Sequence, residues 1–270
     1  MMMESSGVFG VDTPRRCAML RVNAMPPVST PLISVIVVCR NPGTRLRDTL
    51  ASIWAQRDVR PELIVMDGDS TDGSRAWLES QRAHITTLVS APDRGVYDAM
   101  NQGLALAHGK WVLFLGADDR LCHGRVLADA LLALAPSTAG VGVGEIAYDD
   151  GRIYRLEKTP NPPARNFVHH QGAFYRRELF AAQGPFDPSL TIMADYDLNV
   201  RLWKNRVTFC ALPLRIATCG AGGLSDSGRW RGYREEITVR HRHYPGTTCW
   251  FWDLLSVLRC ARKKILRRAR

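Results

Sequence analysis

Three short runs of apolar, largely β-branched residues constrain this chain more than any other feature. They are Leu32-Ile-Ser-Val-Ile-Val-Val-Cys39, Glu62-Leu-Ile-Val-Met66 and Trp111-Val-Leu-Phe-Leu115. Runs this short, apolar on successive residues, suit strands buried on both faces of a parallel sheet. Between the first two lies a helical stripe, with Leu46, Leu50, Ile53 and Trp54 spaced i, i+4, i+7 and i+8. Strand, helix, strand is the opening of an open parallel sheet. A further strand is predicted at 85–89 and a helix at 97–107, before the run that starts at Trp111. The second run leads into Asp67-Gly-Asp-Ser-Thr-Asp-Gly73 and the third into Gly116-Ala-Asp-Asp119. Ligands of such sheets bind beyond the carboxyl ends of the strands, so two strands bring carboxylates to the edge where a ligand is expected.

After a helix predicted at 125–135, the pattern becomes β-like over 141–157, then a Pro-rich loop at 159–164. His169-His-Gln-Gly-Ala-Phe-Tyr175 reads as a polar loop entering a strand, and a helix at 177–183 stops at Gly184-Pro185. A last helix, 195–203, begins at Asp195, where free backbone N–H groups favour a carboxylate.

The acidic strand ends carry the chemistry. A nucleoside diphosphate needs its charge offset, and Mg²⁺ or Mn²⁺ does this through one or two carboxylates plus phosphate oxygens. Asp118 and Asp119 can divide that work, one on the metal and the other on ribose or a metal-bound water. A turn followed by a helix cap is the competing reading of that pair, and an Asx turn that of Asp67, Asp69 and Asp72. In Asp93-Arg-Gly-Val-Tyr-Asp98, helix capping accounts for Asp93, whereas Arg94 is a candidate phosphate ligand.

Taken together, ISVIVVCRN (33–41), ELIVMDGDSTDGS (62–74), SAPDRGVYDAMNQGLALAHGKWVLFLGADD (90–119), HHQGAFYRRELF (169–180) and ADYDLNVRL (194–202) resemble the inverting family 2 glycosyltransferases of the bacterial surface-polysaccharide type, over roughly Pro31 to Trp203. The resemblance implies the GT-A fold, an α/β architecture with a Rossmann-like, mostly parallel central sheet flanked by helices. It implies a nucleotide-sugar donor held by Asp67, Asp93, Arg94 and Asp118, with Asp119 as the direct ligand of Mg²⁺ or Mn²⁺. UDP is the commonest donor nucleotide in that family, and a hexosyl or N-acetylhexosaminyl unit the expected cargo. The base that deprotonates the acceptor hydroxyl falls on Asp195. The family often has Glu-Asp there, where this chain has Ala194-Asp195, which leaves Asp197 as a substitute. His169 and His170 are expected on the acceptor side or at the diphosphate; a histidine satisfied within the fold is the alternative for either.

The net charge of +10 is concentrated at the end: Arg259-Cys-Ala-Arg-Lys-Lys-Ile-Leu-Arg-Arg-Ala-Arg270 holds seven basic residues and no acid. It follows the aromatic-rich Cys249-Trp-Phe-Trp-Asp-Leu-Leu-Ser-Val-Leu258, a combination suited to a helix lying on an anionic membrane. A packed helix with a solvated basic tail is the other reading. With the implied activity, the tail suggests a lipid-linked glycan acceptor. A nucleic-acid partner is not expected, because acidic clusters on the sheet edge repel phosphates unless a metal intervenes. Seven scattered cysteines without a Cys-x-x-Cys pair, and no apolar run of membrane-spanning length, suggest a cytoplasmic protein, peripheral at the inner face of the plasma membrane if the tail engages it. The expected organisation is a disordered lead-in (1–30), a GT-A domain (31–225, its 31–120 half for the nucleotide and its 121–225 half for the acceptor), and a basic helical C-terminal extension (226–270). The Gly-rich stretch Gly220 to Gly223, followed by Arg229, Trp230, Arg231 and Tyr233, reads as an exposed linker or a mobile flap over the donor. A nucleotidyltransferase-like α/β enzyme is the rival, although Arg40-Asn-Pro-Gly43 lacks the glycine and lysine density of a phosphate loop.

Overall fold

The computed structural model describes residues 31–220 and 230–268, the side chains of residue 248 and of 266–268 excepted. The expected lead-in at 1–30, and Gly222, Gly223 and Arg229 of the expected flap, lie outside the described residues.

The first half follows the sequence closely. Strands β1 (Ile33–Cys39), β2 (Glu62–Asp67), β3 (Thr87–Ser90) and β4 (Trp111–Gly116) pair in parallel in the order β3-β2-β1-β4. Helices α1 (Arg45–Trp54), α2 (Ser74–Ser80) and α3 (Val96–Ala105) make the crossovers. The unbroken apolar run of β1 feeds two cores at once, as strand alternation requires. Ile33, Val35, Val37 and Cys39 pack with Leu46, Leu50 and Ile53 of α1 and with Val126 and Leu127 of α4 (Val126–Leu134). Ile36 and Val38 pack on the other face with Tyr97 and Met100 of α3, and with Tyr196 and Leu198 of α6 (Ala194–Lys204).

Beyond β4 the sheet becomes mixed, in keeping with the mostly parallel sheet expected. The complete order is β3-β2-β1-β4-β8-β6-β9-β5, with β5 at Arg120–Leu121, β6 at Val141–Tyr148, β8 at Ala173–Arg176 and β9 at Phe209–Cys219. The short strand β7 (Ile153–Tyr154) hangs on β6. Strand β8 runs antiparallel to β4 and β6, β9 runs parallel to β6, and β5 runs antiparallel to β9. β9 escapes sequence reading because its Pro213 and Arg215 interrupt the apolar pattern, and because its register with β6 shifts on either side of Glu145. Gly144 permits that crossing, since a Cβ there would collide with Ile216.

The C-terminal segment corrects the flap reading. Trp230, Arg231 and Tyr233 belong to helix α7 (Trp230–His243), which packs on α8 (Gly246–Arg268). Ion pairs Arg231–Glu235 and Glu236–Arg240 at i, i+4 support α7, a periodicity concealed by the glycines before it. Arg240 is 1% exposed and donates to Asp253 and Ser256 of α8 and to the Ala164 carbonyl, beside Glu236. Helix α5 (Glu178–Gln183) precedes α6. The six described cysteines are free thiols. Among the described residues no helix is long and apolar enough to cross a membrane. Removing one partner of a buried ionic network strands the others, so Arg240→Leu is expected to lower stability by about 3–5 kcal/mol, read from urea unfolding.

Candidate active site

Parallel register sets the first part of the site. Cys39 pairs with Asp67, Asp67 with Ser90, and Val38 with Gly116, so the carboxyl ends of four strands form one row. Asp67, only 2% exposed, accepts hydrogen bonds from the Ser70 amide at 3.2 Å and the Cys39 thiol at 3.7 Å. Burial and the neighbouring Asp67 carboxylate push the Cys39 thiol far up, which leaves it unreactive at neutral pH. Asp72 is spent on the turn, accepting from the Gly43 and Ser74 amides, while Asp69 points outward to Arg75. Asp93 accepts from the Gly95 amide and leans on Gly68, where any side chain would collide with its carboxylate. Arg94 is exposed and its guanidinium pairs with Asp98 at 2.9 Å.

The adjacent acids Asp118 and Asp119 differ in environment. Asp119 is 3% exposed and accepts from the Gly116 amide at 2.7 Å. Burial, opposed by that amide and reinforced by Asp118, holds its carboxyl above the usual range. Asp118 is one-third exposed, lies 3.7 Å from Arg45, and accepts at its carbonyl from the Gly220 amide. It borders a small cleft of about 200 Å³ with Arg45, Asp48 and Arg120. Among the described residues no three His, Cys, Asp or Glu side chains form a closed metal cage. Two neighbouring carboxylates at a strand end are instead the donor set of a hard cation that draws its remaining ligands from phosphate oxygens. A cation there would also favour the ionised form of Asp119, which burial disfavours. The residues present therefore fit such an ion.

The second part of the site is Asp195, in the first turn of α6 and 5% exposed. Its Oδ1 accepts from the Tyr196 amide at 2.8 Å and lies 3.2 Å from the Tyr97 hydroxyl, which also reaches the Ile192 carbonyl. Its Oδ2 accepts from Asn166 at 3.0 Å and from His170 Nδ1 at 3.3 Å. Burial raises the Asp195 pKa, but the His170 hydrogen bond and charge, with His169 and the Tyr196 amide, outweigh it and leave the carboxyl below its ordinary value. Asp195 and His170 share a wall of a cavity of about 880 Å³ that extends to α8. His169 lines it as well, with its ring 4.3 Å from that of Tyr154, and burial drives its pKa down to about 4, so it is a neutral aromatic wall.

Asp197 is a correction. Its carboxylate takes Arg201 Nε and His243 Nε2, both at 2.9 Å, and joins α6 to α7 without lining the cavity. Side chains two positions apart point to different sides of a helix, which removes it as a substitute for Asp195. Tyr97 and Asn166 are the residues that sequence reading missed. Tyr97 sits within a quoted stretch but at a helix position that reads as core, and Asn166 belongs to no motif.

A curled, mostly parallel sheet with flanking helices gives this chain the GT-A fold. Residues 34–185, more than half of the 270, match the family model Glycosyl transferase family 2, and the chain belongs to that family. A PGL/p-HBAD biosynthesis glycosyltransferase of Mycobacterium bovis (strain BCG / Pasteur 1173P2) is 32% identical over 194 residues, 66% of this chain and 72% of the relative. Another glycosyltransferase, from Mycobacterium tuberculosis (strain H37Rv), is 32% identical over 231 residues, 80% of this chain and 87% of its own length. Among solved structures, S. aureus TarS in complex with UDP-GlcNAc aligns with a TM-score of 0.63 at 18% identity, covering 84% of this chain and 72% of that one. The Pyrobaculum calidifontis mannosyltransferase PcManGT in complex with GDP-Man and Mn²⁺ aligns at 0.60 with 21% identity, covering 88% and 72%. Family membership decides for sugar transfer over nucleotidyl transfer.

The two buried carboxylates titrate in opposite senses. The folded pKa of Asp119 lies above the unfolded value of about 3.9, so the folded state loses stability through this group as pH rises above that value. Asp119→Asn keeps an acceptor for the Gly116 amide and is expected to gain stability over the wild type between pH 4 and 7 (about these values), in chelator. Asp195, with a lowered folded pKa, stabilises above about pH 4, and its contribution is lost as pH falls through the folded value. Asp195→Asn is expected to lose stability at neutral pH and to converge on the wild type in acid. Urea midpoints across that range check both signs.

Proposed function

We propose that this glycosyltransferase moves a sugar from a nucleoside diphosphate sugar, UDP-linked, to a hydroxyl of a lipid-linked glycan, with inversion and with the help of a divalent metal. The observation that carries the reading is the Asp195 carboxylate, kept ionised in a buried position on the wall of the large cavity. A general base must be ionised, shielded and oriented before its substrate arrives. His170, Asn166 and Tyr97 supply the orientation.

In this reading Asp67 and Asp93 receive the base and ribose of the donor, and Asp118 and Asp119 face its diphosphate. Asp119, with Asp118 beside it, would hold Mg²⁺ or Mn²⁺, which when bound would supply positive charge to offset the diphosphate. Asp195 takes the proton of the acceptor hydroxyl as that oxygen attacks the anomeric carbon from the face opposite the leaving group. Arg94, exposed and paired with Asp98, stands beside Asp93 as a candidate phosphate ligand. The 31–120 half then holds the nucleotide and the 121–225 half the acceptor, which agrees with the change from a parallel to a mixed sheet after β4. The UDP-GlcNAc complex of TarS and the GDP-Man and Mn²⁺ complex of PcManGT support a nucleotide sugar and a metal as reactants for this fold.

Helix α8 supports a peripheral place at the inner face of the plasma membrane. Trp250, Phe251, Leu254 and Leu258 project outward, Trp250 being 75% exposed, while Cys249, Ser256 and Cys260 are buried against the protein. An exposed aromatic and aliphatic stripe continuing into Arg262 and Lys264 suits an anionic bilayer surface.

Asp195→Asn is expected to reduce transfer by about 10²–10⁴-fold while keeping metal-dependent thermal stabilisation by UDP-sugars. Asp119→Ala is expected to lose that stabilisation. Undiminished turnover of the first variant, or normal metal-dependent donor binding by the second, would remove the corresponding role. Replacing Trp250 and Phe251 by Ser is expected to weaken co-sedimentation with phosphatidylglycerol vesicles without changing donor binding.

A further inference from the structure

The geometry points to an acceptor that carries a phosphate ester, seated on Arg155, Lys158 and Arg165 at the mouth of the cavity whose wall holds Asp195. The inference rests on the assignment of Asp195 to the acceptor side. All three cations line the cavity, are exposed, and have no carboxylate partner among the described residues. They come from the loop that follows β7 and leads to Asn166, the residue that hydrogen-bonds the Asp195 carboxylate. The loop thus links the cationic mouth to the base.

Charge bookkeeping within the cavity favours an anion. Its acidic lining residues are Glu157, Asp195 and Glu236. Glu236 is neutralised by Arg259 at 2.8 Å and lies beside the buried Arg240. Asp195 is engaged by Asn166 and His170. Only the exposed Glu157 stands among the three cations, which leaves an excess of positive charge at the mouth. A neutral sugar acceptor leaves that excess without a counterpart, whereas two guanidinium forks and an ammonium match a phosphate ester.

The donor's diphosphate is assigned to a different set of residues. None of Asp67, Asp93, Asp118 or Asp119 lines the cavity. A volume of about 880 Å³ is at the upper end of ordinary ligand sites and admits a sugar together with its phosphate. Helix α8 contributes Trp252 to the lining on one side and exposes Trp250, Phe251 and Leu254 on another, so the mouth opens beside the surface proposed to meet the bilayer. A phosphate at that level belongs either to the acceptor itself or to a bilayer lipid. Enclosure of the cations in one cavity with Asp195 selects the acceptor.

The test uses the whole chain, saturated with UDP and Mn²⁺ so that the donor's phosphate positions are filled. Phenyl phosphate is titrated at fixed ionic strength, with phenyl glucoside as the neutral control. Phenyl phosphate is expected to bind and phenyl glucoside to bind more weakly. The combined Arg155→Gln, Lys158→Gln and Arg165→Gln variant is expected to weaken phenyl phosphate by about tenfold or more with UDP affinity unchanged. These side chains are exposed, and an unchanged melting temperature of the variant confirms that its fold is intact. Equal phenyl phosphate affinity in variant and wild type, or no preference over the glucoside, overturns the inference. So does a variant that keeps phenyl phosphate but loses phosphatidylglycerol vesicles, because the cations then serve bilayer headgroups. Failure of the wild type to bind UDP with Mn²⁺ is a separate signal and counts against the donor reading.

Discussion

Parallel pairing of β1, β2, β3 and β4 is the constraint on which the site depends, because it aligns every strand's carboxyl end without regard to what charge accumulates there. The result is an edge carrying Asp67, Asp93, Asp118 and Asp119, assembled from segments more than twenty residues apart in the chain. Backbone amides absorb part of that charge: those of Ser70, Gly95 and Gly116 each donate to one of these carboxylates. The balance is incomplete at Asp119, where desolvation outweighs its amide partner. A ligand that brings a cation to this edge therefore relieves a cost already present in the folded chain.

Asp195 shows the reverse balance. It is buried as deeply, yet its surroundings were assembled for the ionised form: three side-chain partners and a backbone amide outweigh the burial. Two carboxylates of similar exposure thus differ in the direction of their shifts. Donors and the two histidines outweigh burial at Asp195, whereas at Asp119 burial and the acidic Asp118 outweigh the Gly116 amide, the Cys219 thiol and the charge of His170. Under the proposed function, that separation suits two acids of which one faces a cation and the other accepts a proton.

The parallel half of the fold was legible because its strands are continuous apolar runs and its first helix carries a clear stripe, both local signals. Acids at strand ends were legible for the same reason. What lay beyond reading depends on partners distant in sequence. Strand β9 is interrupted by Pro213 and Arg215 and gains its place by pairing with β6 and β5. Asn166 sits in an irregular loop and acquires its role only from its 3.0 Å contact with Asp195. The i, i+4 ion pairs of α7 were present in the sequence, but the glycines before it and its polar composition suggested a linker. For Asp197 residue type was a poor guide, since it spends its charge on Arg201 four positions away and on His243.

The family match ends at residue 185, ten residues before Asp195. What fixes the start of α6 is supplied from further along the chain. Glu235 of α7 accepts from the amides of Thr191, Ile192 and Met193, the three residues that lead into α6. Burial raises the Glu235 pKa, but those amides and the Thr191 hydroxyl lower it further, so it meets the helix start as a carboxylate where free N–H groups favour one. His243 at the C-terminal end of α7 reaches Asp197, so α7 holds the start of α6 at two points. Arg240 then binds α7 to α8. The C-terminal helices are consequently part of the structure that positions Asp195, and a disturbance of α8 reaches that carboxylate through buried charge pairs.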